Sequence, residues 1–175
     1  MNALSTPLTV SIPRITTPRL LLREFRVGDF DGFALNLTDP EATKFLSGTS
    51  DRRTAWRIFC SATGAWVLHG KGWWALELRE TGEVVGSVGA FVRETAPDLE
   101  VGWTLYRRFW GHGYATEAAQ AALEHAFEVH HVKRAIAHIT AANTASVAVS
   151  QKLGMTYEAD VDFYGEPVGR YGVER

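Results

Sequence analysis

Residues 108–118 read Arg-Phe-Trp-Gly-His-Gly-Tyr-Ala-Thr-Glu-Ala, and no other stretch restricts the possible folds of this chain as much. An apolar, strand-like run, Val101-Gly102-Trp103-Thr104-Leu105, leads into it. Small residues at helical spacing lead out: Ala115, Ala118, Ala119, Ala122 and Ala126. A strand, a glycine turn and a helix in that order aim free backbone N–H groups at one point. Gly111 and Gly113 remove side chains where the backbone must approach a ligand, and they tolerate left-handed torsions. The start of a helix adds roughly half a positive charge. These features predict a phosphate-bearing ligand at the beginning of the helix.

Two common phosphate-binding motifs do not fit. A P-loop needs Lys-Ser/Thr after its last glycine, to serve the terminal phosphates and magnesium. Tyr114-Ala115 stands there instead. A dinucleotide fingerprint needs a third glycine and an early place in the chain. Here Thr116 takes the third position and the motif lies past the midpoint.

The rest of the chain reads as alternating short elements. Strands are predicted over 19–25, 72–78, 84–93, 99–105, 134–140, 155–163 and 168–174. Helices are predicted from Gly28-Asp29 to Leu37, over 49–66 with Ser50 or Asp51 as cap, from His112 or Gly113 to Glu128, and over 145–153. Thr81-Gly82-Glu83 marks a tight turn, and Gly154 ends the last helix. Gly102 implies either a bulge or a close backbone approach. The pattern predicts a mixed α/β (α+β) fold, one sheet with helices on both faces.

Composition narrows the function classes. A chain of 175 residues with 46% hydrophobic content supports one ample core, predicted over 14–175 after a loose lead-in over 1–13. A net charge of −2 without a lysine/arginine run argues against nucleic acid as a partner. The single Cys60 cannot form an internal disulfide, which suits a reducing cytoplasm. No apolar run reaches the ~20 residues of a membrane span, and no signal peptide is recognisable, so a cytoplasmic location is expected. His125, His130 and His131 lack metal-ligand spacing and no cysteine cluster accompanies them, so no metal is expected. Charged histidines there would suit the end of the helix. Of Trp73 and Trp74, one is expected in the core and one exposed; one of the two indoles, His69 and Phe91 are secondary candidates for lining an acceptor pocket.

Three blocks together carry a family resemblance. Arg108-x-x-Gly111-x-Gly113-Tyr114-Ala115 resembles the Arg/Gln-x-x-Gly-x-Gly/Ala signature of the GNAT superfamily of N-acetyltransferases. Asn143-Thr144-Ala145-Ser146, with Lys152-Leu153-Gly154-Met155, is similar to the Asn-x-x-Ser/Ala…Lys-Leu-Gly-Phe block, Met155 replacing phenylalanine. Thr17-Pro18-Arg19-Leu20-Leu21-Leu22-Arg23 resembles the opening strand of the ribosomal-protein (RimJ/RimL-type) branch. The resemblance implies a mostly antiparallel central sheet with a splay between the fourth and fifth strands. It also implies acetyl-coenzyme A as cosubstrate. The turn, Arg108, Gly111, His112, Gly113, Tyr114, Ala115 and Thr116, would then hold the pyrophosphate. Trp103 and Leu105 would pair with the amide-rich pantetheine arm from one side and Asn143 from the other. Ser146 has two open readings, the arm or a cap for its own helix.

Acetyl transfer needs a neutral amine, a polarised thioester carbonyl and a proton for the leaving thiolate. The resemblance implies direct attack, and Cys60, remote from every motif, is not invoked as a nucleophile. Glu100, beside the cofactor strand, is the candidate base, with a solvated edge carboxylate as the other reading. Asp98 is read as a turn residue after Pro97 and only a weaker base candidate. Ser150 stands where many members carry a tyrosine, four residues before Gly154, and is the candidate acid. The favoured acceptor is a protein or peptide N-terminal α-amino group. A small-molecule amine or antibiotic is the first alternative, although carboxylates are scattered, Asp160 and Asp162 being the nearest pair. A non-catalytic acyl-coenzyme A sensor is the second. A homodimer is compatible with the family.

Overall fold

The computed structural model describes residues 9–46, 48–94 and 96–175. Eight strands form one sheet: β1 (Ile15–Thr16), β2 (Leu20–Arg23), β3 (Gly72–Leu78), β4 (Val84–Arg93), β5 (Ala96–Leu105), β6 (Arg134–Ile139), β7 (Thr156–Phe163) and β8 (Glu166–Glu174). Four α-helices accompany them: α1 (Phe30–Thr38), α2 (Arg52–His69), α3 (Tyr114–Glu128) and α4 (Thr144–Lys152). The strand order is β1-β2-β3-β4-β5-β6-β8-β7, antiparallel except between β5 and β6.

That one parallel pair is very short. β5 and β6 meet only at Leu99–Ala135 and Glu100–Ile136. From Gly102 to Leu105 the two strands are not paired among the described residues, so the sheet opens into a gap. This is the splay expected between the fourth and fifth strands; the two-residue β1, which the sequence reading lacked, shifts the count by one.

Small side chains set α3 close to one face. Ala118, Ala119, Ala122 and Ala126 are fully buried against Leu20, Leu22, Trp74, Leu76, Val88 and Val101. Each buried leucine of this core contributes about 2 kcal/mol of transfer free energy. The Trp74 indole is sealed here and donates its N–H to the Pro13 carbonyl at 2.7 Å. Ile12 packs on the same core, while Thr9, Val10 and Ser11 of the expected lead-in are exposed; residues 1–8 lie outside the described ones.

On the opposite face, α1 and α2 bury Phe25, Phe30 and Phe59 with Ala34 and Ala55. Their rings meet edge-on or tilted at 5.0–5.9 Å, the geometry aromatic quadrupoles favour. α2 begins where Asp51 accepts from the Thr54 N–H at 2.7 Å, and it ends at Gly70 with φ of 61°. Side-chain alternation along β5 turns Leu99 and Val101 toward α3, and Glu100 and Gly102 toward the α2 face. Gly102 is in register with Gly89, not bulged. A Cβ at Gly102 or Gly89 would fall 2.9 or 2.6 Å from the Trp73 ring, so the glycines are there for a close approach. Asp98 is not a turn residue either: it lies within β5 and pairs with Arg134 at 3.2 Å.

Candidate active site

The gap in the sheet exposes backbone. Tyr106 N–H donates to the Val85 carbonyl at 2.8 Å, closing the β4–β5 ladder at that end. Antiparallel alternation then turns the amides of Thr104 and Gly102 toward β4, and those of Trp103 and Leu105 into the gap, while the Val101 N–H closes the short parallel ladder with β6. Trp103 and Leu105 are the two residues expected to meet the pantetheine arm. The Leu105 carbonyl is already taken, accepting from the Trp110 indole N–H at 2.9 Å. An extended edge of this kind suits a ligand that itself carries amides.

The glycine turn continues directly from that edge. Gly111 and Gly113 both sit at φ of +79°, a region that strongly favours glycine. Gly113 is the residue before α3 and supplies no side-chain cap. Among the described residues, none of the N–H groups of Gly111, His112, Gly113, Tyr114, Ala115 and Thr116 donates to a protein acceptor. Six bare donors at the positive end of a 15-residue helix fit a pyrophosphate. The turn is braced from outside by Arg19, which donates to the His112 carbonyl at 2.8 Å and lies over the Tyr114 ring at 4.7 Å. His112 stacks on Tyr114 at 5.6 Å. The Arg108 side chain points the other way, to Glu83, so only its backbone lies on the turn.

Across the gap stands the start of α4. Asn143 caps this helix, its Oδ1 accepting from the Ser146 N–H at 3.1 Å. Of the two readings of Ser146, the cap therefore falls to Asn143. Ser150 is completely buried, and its hydroxyl donates to the Val147 carbonyl at 2.8 Å.

Glu100 is neither exposed nor isolated. Only 5% of it is accessible, and Arg93 grips both oxygens, Nε on Oε2 and Nη2 on Oε1, the latter at 3.0 Å. His138 Nδ1 lies 3.2 Å from Oε2, at ion-pair distance but off the line of a straight N–H···O bond. Burial pushes this carboxyl up, but the His138 contact and the Arg93 guanidinium outweigh it and hold it below the usual carboxylate range. Arg93 in turn lies over Phe91 at 5.0 Å and Phe163 at 4.8 Å, and His138 packs on Phe163 at 4.9 Å. The solvated-edge reading of Glu100 does not describe this carboxylate. Arg93 and His138 were not singled out from sequence; they reach Glu100 only through strand pairing.

Beside this cluster, Trp73 stacks on Phe91 at 5.1 Å. It floors a cleft of about 470 Å³ between the sheet and α2, with Phe25, Phe33, Ile58, Ala62 and Arg57 on its walls. Trp74 is the core indole of the pair and Trp73 the half-buried one. His69, at the end of α2, is exposed and lines no part of the cleft described here. Cys60 is exposed on α2. Among the described residues, no three His, Cys, Asp or Glu side chains converge in a way that could hold a metal ion, and no helix is long and apolar enough to cross a membrane.

Comparison with known proteins agrees with this geometry. The acetyltransferase (GNAT) domain matches residues 19–156. The protein YkkB of Bacillus subtilis is 32% identical over 149 residues, covering 79% of this chain and 82% of that protein. The N-acetyltransferase p20 of Bacillus licheniformis is 29% identical over 158 residues, covering 88% of each. The crystal structure of an acetyltransferase from Agrobacterium tumefaciens superposes with a TM-score of 0.86 at 30% identity, covering 97% of this chain and 99% of that one. RimL, a ribosomal L7/L12 α-N-protein acetyltransferase solved with coenzyme A, shares the fold at a TM-score of 0.74 and 17% identity, covering 93% of this chain and 97% of that one. A sheet opened beside an uncapped glycine turn, and a family match over most of the chain, lead to one conclusion: the protein belongs to the GNAT acetyltransferase family.

Proposed function

We propose that this enzyme transfers an acetyl group from acetyl-coenzyme A to a primary amine, by direct attack of the amine on the thioester. The observation that carries the reading is the continuity of the open β5 edge with the bare N–H groups of the turn. Trp103 and Leu105 would bind the pantetheine arm, with Asn143 and Ser146 on the far side. Gly111 to Thr116 would bind the pyrophosphate. When bound there, the cosubstrate would supply an activated acetyl group.

The favoured acceptor is a peptide or protein N-terminal α-amino group. The walls of the Trp73 cleft are mostly apolar, with Arg57 and the hydroxyl residues Thr54, Ser61 and Ser87 among them, and no Asp or Glu lines it among the described residues. That lining suits an uncharged peptide terminus and is poorly matched to a polycationic antibiotic. A small-molecule amine of modest charge is the second reading. It is favoured by a match, at 29% identity over 134 residues, to an Aspergillus fumigatus protein named FsC-acetyl coenzyme A-N(2)-transacetylase, of which this chain spans about half (54%).

The test is calorimetric titration with acetyl-coenzyme A, then thiol release with N-terminal peptides and small amines as acceptors. Binding with release supports the enzyme reading, and the best amine names the acceptor class. Binding without release from any amine supports the non-catalytic sensor. Absence of binding overturns the cosubstrate assignment.

A further inference from the structure

We propose that His138 and Glu100 form a proton-transfer dyad, with the His138 imidazole as general base for the acceptor amine and Glu100 as the positioning residue behind it. The inference rests on the amine-acetylation reading above and assigns its proton acceptor.

Position comes first. Pairing of β5 with β6 stops at Glu100–Ile136. The next β6 residue on the same face is His138, which therefore lines the mouth of the gap, level with Gly102. A ligand extended along the open edge of β5 would pass this point.

The state of Glu100 comes second. A catalytic base must accept a proton and so needs a free lone pair and a suitable basicity. Both oxygens of Glu100 are engaged by Arg93, and the group is held below the usual carboxylate range. Such a carboxylate is a weak acceptor from an ammonium group, but it is well suited to stabilise a neighbouring imidazolium.

The imidazole itself comes third. Its Nδ1 is sealed from solvent and faces Glu100, and its ring is packed on Phe163. Among the described residues nothing hydrogen-bonds Nε2, so this nitrogen is the one left for a ligand. The other charges around the ring are Arg93 on β4 and Arg170, which is directly opposite on β8. Glu158 ties Arg170 to Arg134, four residues before His138 on β6. Asp98 completes that chain through Arg134.

The proton balance is simple. An acceptor arriving as an ammonium gives one proton to His138 Nε2, which passes it to water. The neutral nitrogen then attacks the thioester carbon; a C–N bond forms, and the C–S bond breaks with its electron pair leaving on sulfur. The second proton lost from nitrogen neutralises the thiolate. One amide and one thiol result.

The test uses H138N, whose amide N–H replaces Nδ1–H toward Glu100 but supplies no base. With the best amine of the acceptor panel, kcat falls about a hundredfold at neutral pH. The loss shrinks as pH approaches the amine's own pKa, while coenzyme A affinity is unchanged by calorimetry. A pH-independent loss, or none, overturns the dyad. An activity-free arm follows the His138 ring by NMR in the ligand-free protein. In the wild type the neutral ring carries its proton on Nδ1, toward Glu100, and nitrogen chemical shifts read that tautomer; in E100Q, where an amide replaces the carboxylate, the balance moves toward Nε2–H. An identical tautomer balance in the two proteins overturns the dyad even if H138N does not fold. Failure of the wild type to bind coenzyme A at all overturns the acetylation reading instead, so the two failures are distinguishable.

Discussion

Arg19 ties the start of β2 to the first turn of α3: its Nε meets Glu117 Oε2 at 2.6 Å while its Nη1 holds the His112 carbonyl at 2.8 Å. Glu117 also accepts from the Thr17 hydroxyl and the Arg19 backbone N–H, so a carboxylate near the anion site is neutralised within the protein. Burial pushes Glu117 up, but these donors outweigh it and keep it ionised below the usual range.

R19A therefore removes a positive charge and a brace from the turn at once and leaves Glu117 facing the phosphates. Coenzyme A affinity is expected to fall about tenfold, equivalent to about 1.4 kcal/mol. Calorimetry on R19A and R19K checks this. Full affinity in R19A would show that the turn holds its shape without the brace.

G113V tests the turn from within. A β-branched residue at φ of +79° is strained by ~1–3 kcal/mol, and its side chain enters the space in front of the helix. Coenzyme A binding is expected to be lost while circular dichroism still reports the native fold. Wild-type affinity in a folded G113V would remove the phosphate assignment from this turn.

The turn was legible in the sequence because everything that makes it is local. Gly111, Gly113 and the alanines after them encode torsion, access and helix within a dozen residues. The same holds for Asp51 at the start of α2, whereas the helix runs on past the expected end at residue 66 to Gly70. What was not legible depends on pairing between distant segments. The short β1 carries no periodicity of its own. β8 inserts between β6 and β7, an order that no spacing reveals. Arg93 and His138 meet Glu100 only because β4 and β6 flank β5. Charged histidines would have suited the end of α3, yet His125 packs edge-on to Trp74 and His130 edge-on to His125, and burial lowers both. In each case a tertiary contact decided the role of a residue whose neighbours in sequence were silent.

Ser150 is the next test, because its hydroxyl is already committed as a donor to Val147. To meet a leaving thiolate, the hydroxyl must rotate off that carbonyl, at the cost of one modest hydrogen bond. S150A is expected to lower kcat about tenfold, less than a fully positioned general acid supplies. Coenzyme A affinity should hold. A variant with unchanged kcat and a lower Tm would leave Ser150 a helix residue with a structural bond only.

The paired histidines predict how stability depends on pH. Among the described residues, Nε2 of His125 and of His130 are buried without a partner, and their rings are 5.1 Å apart. Burial, then the nearby Lys71, His125 and His131 charges, push His130 from 6.5 down to about 4; burial also lowers His125. The folded protein thus keeps both neutral where the unfolded chain binds protons. Their contribution to stability is complete above the unfolded value of 6.5 and is lost as pH falls toward about 4. Carboxylates with lowered values, such as Glu100, lose their contribution only as pH falls below 4.5, so the interval above that isolates the histidines. The wild type should therefore melt at a lower temperature at about pH 5 than at about pH 7, and H130Q should show a smaller difference. Differential scanning calorimetry at the two pH values measures it. An equal drop in both proteins would mean that His130 opens to solvent and protonates without unfolding the end of α3, and that the acid sensitivity lies elsewhere.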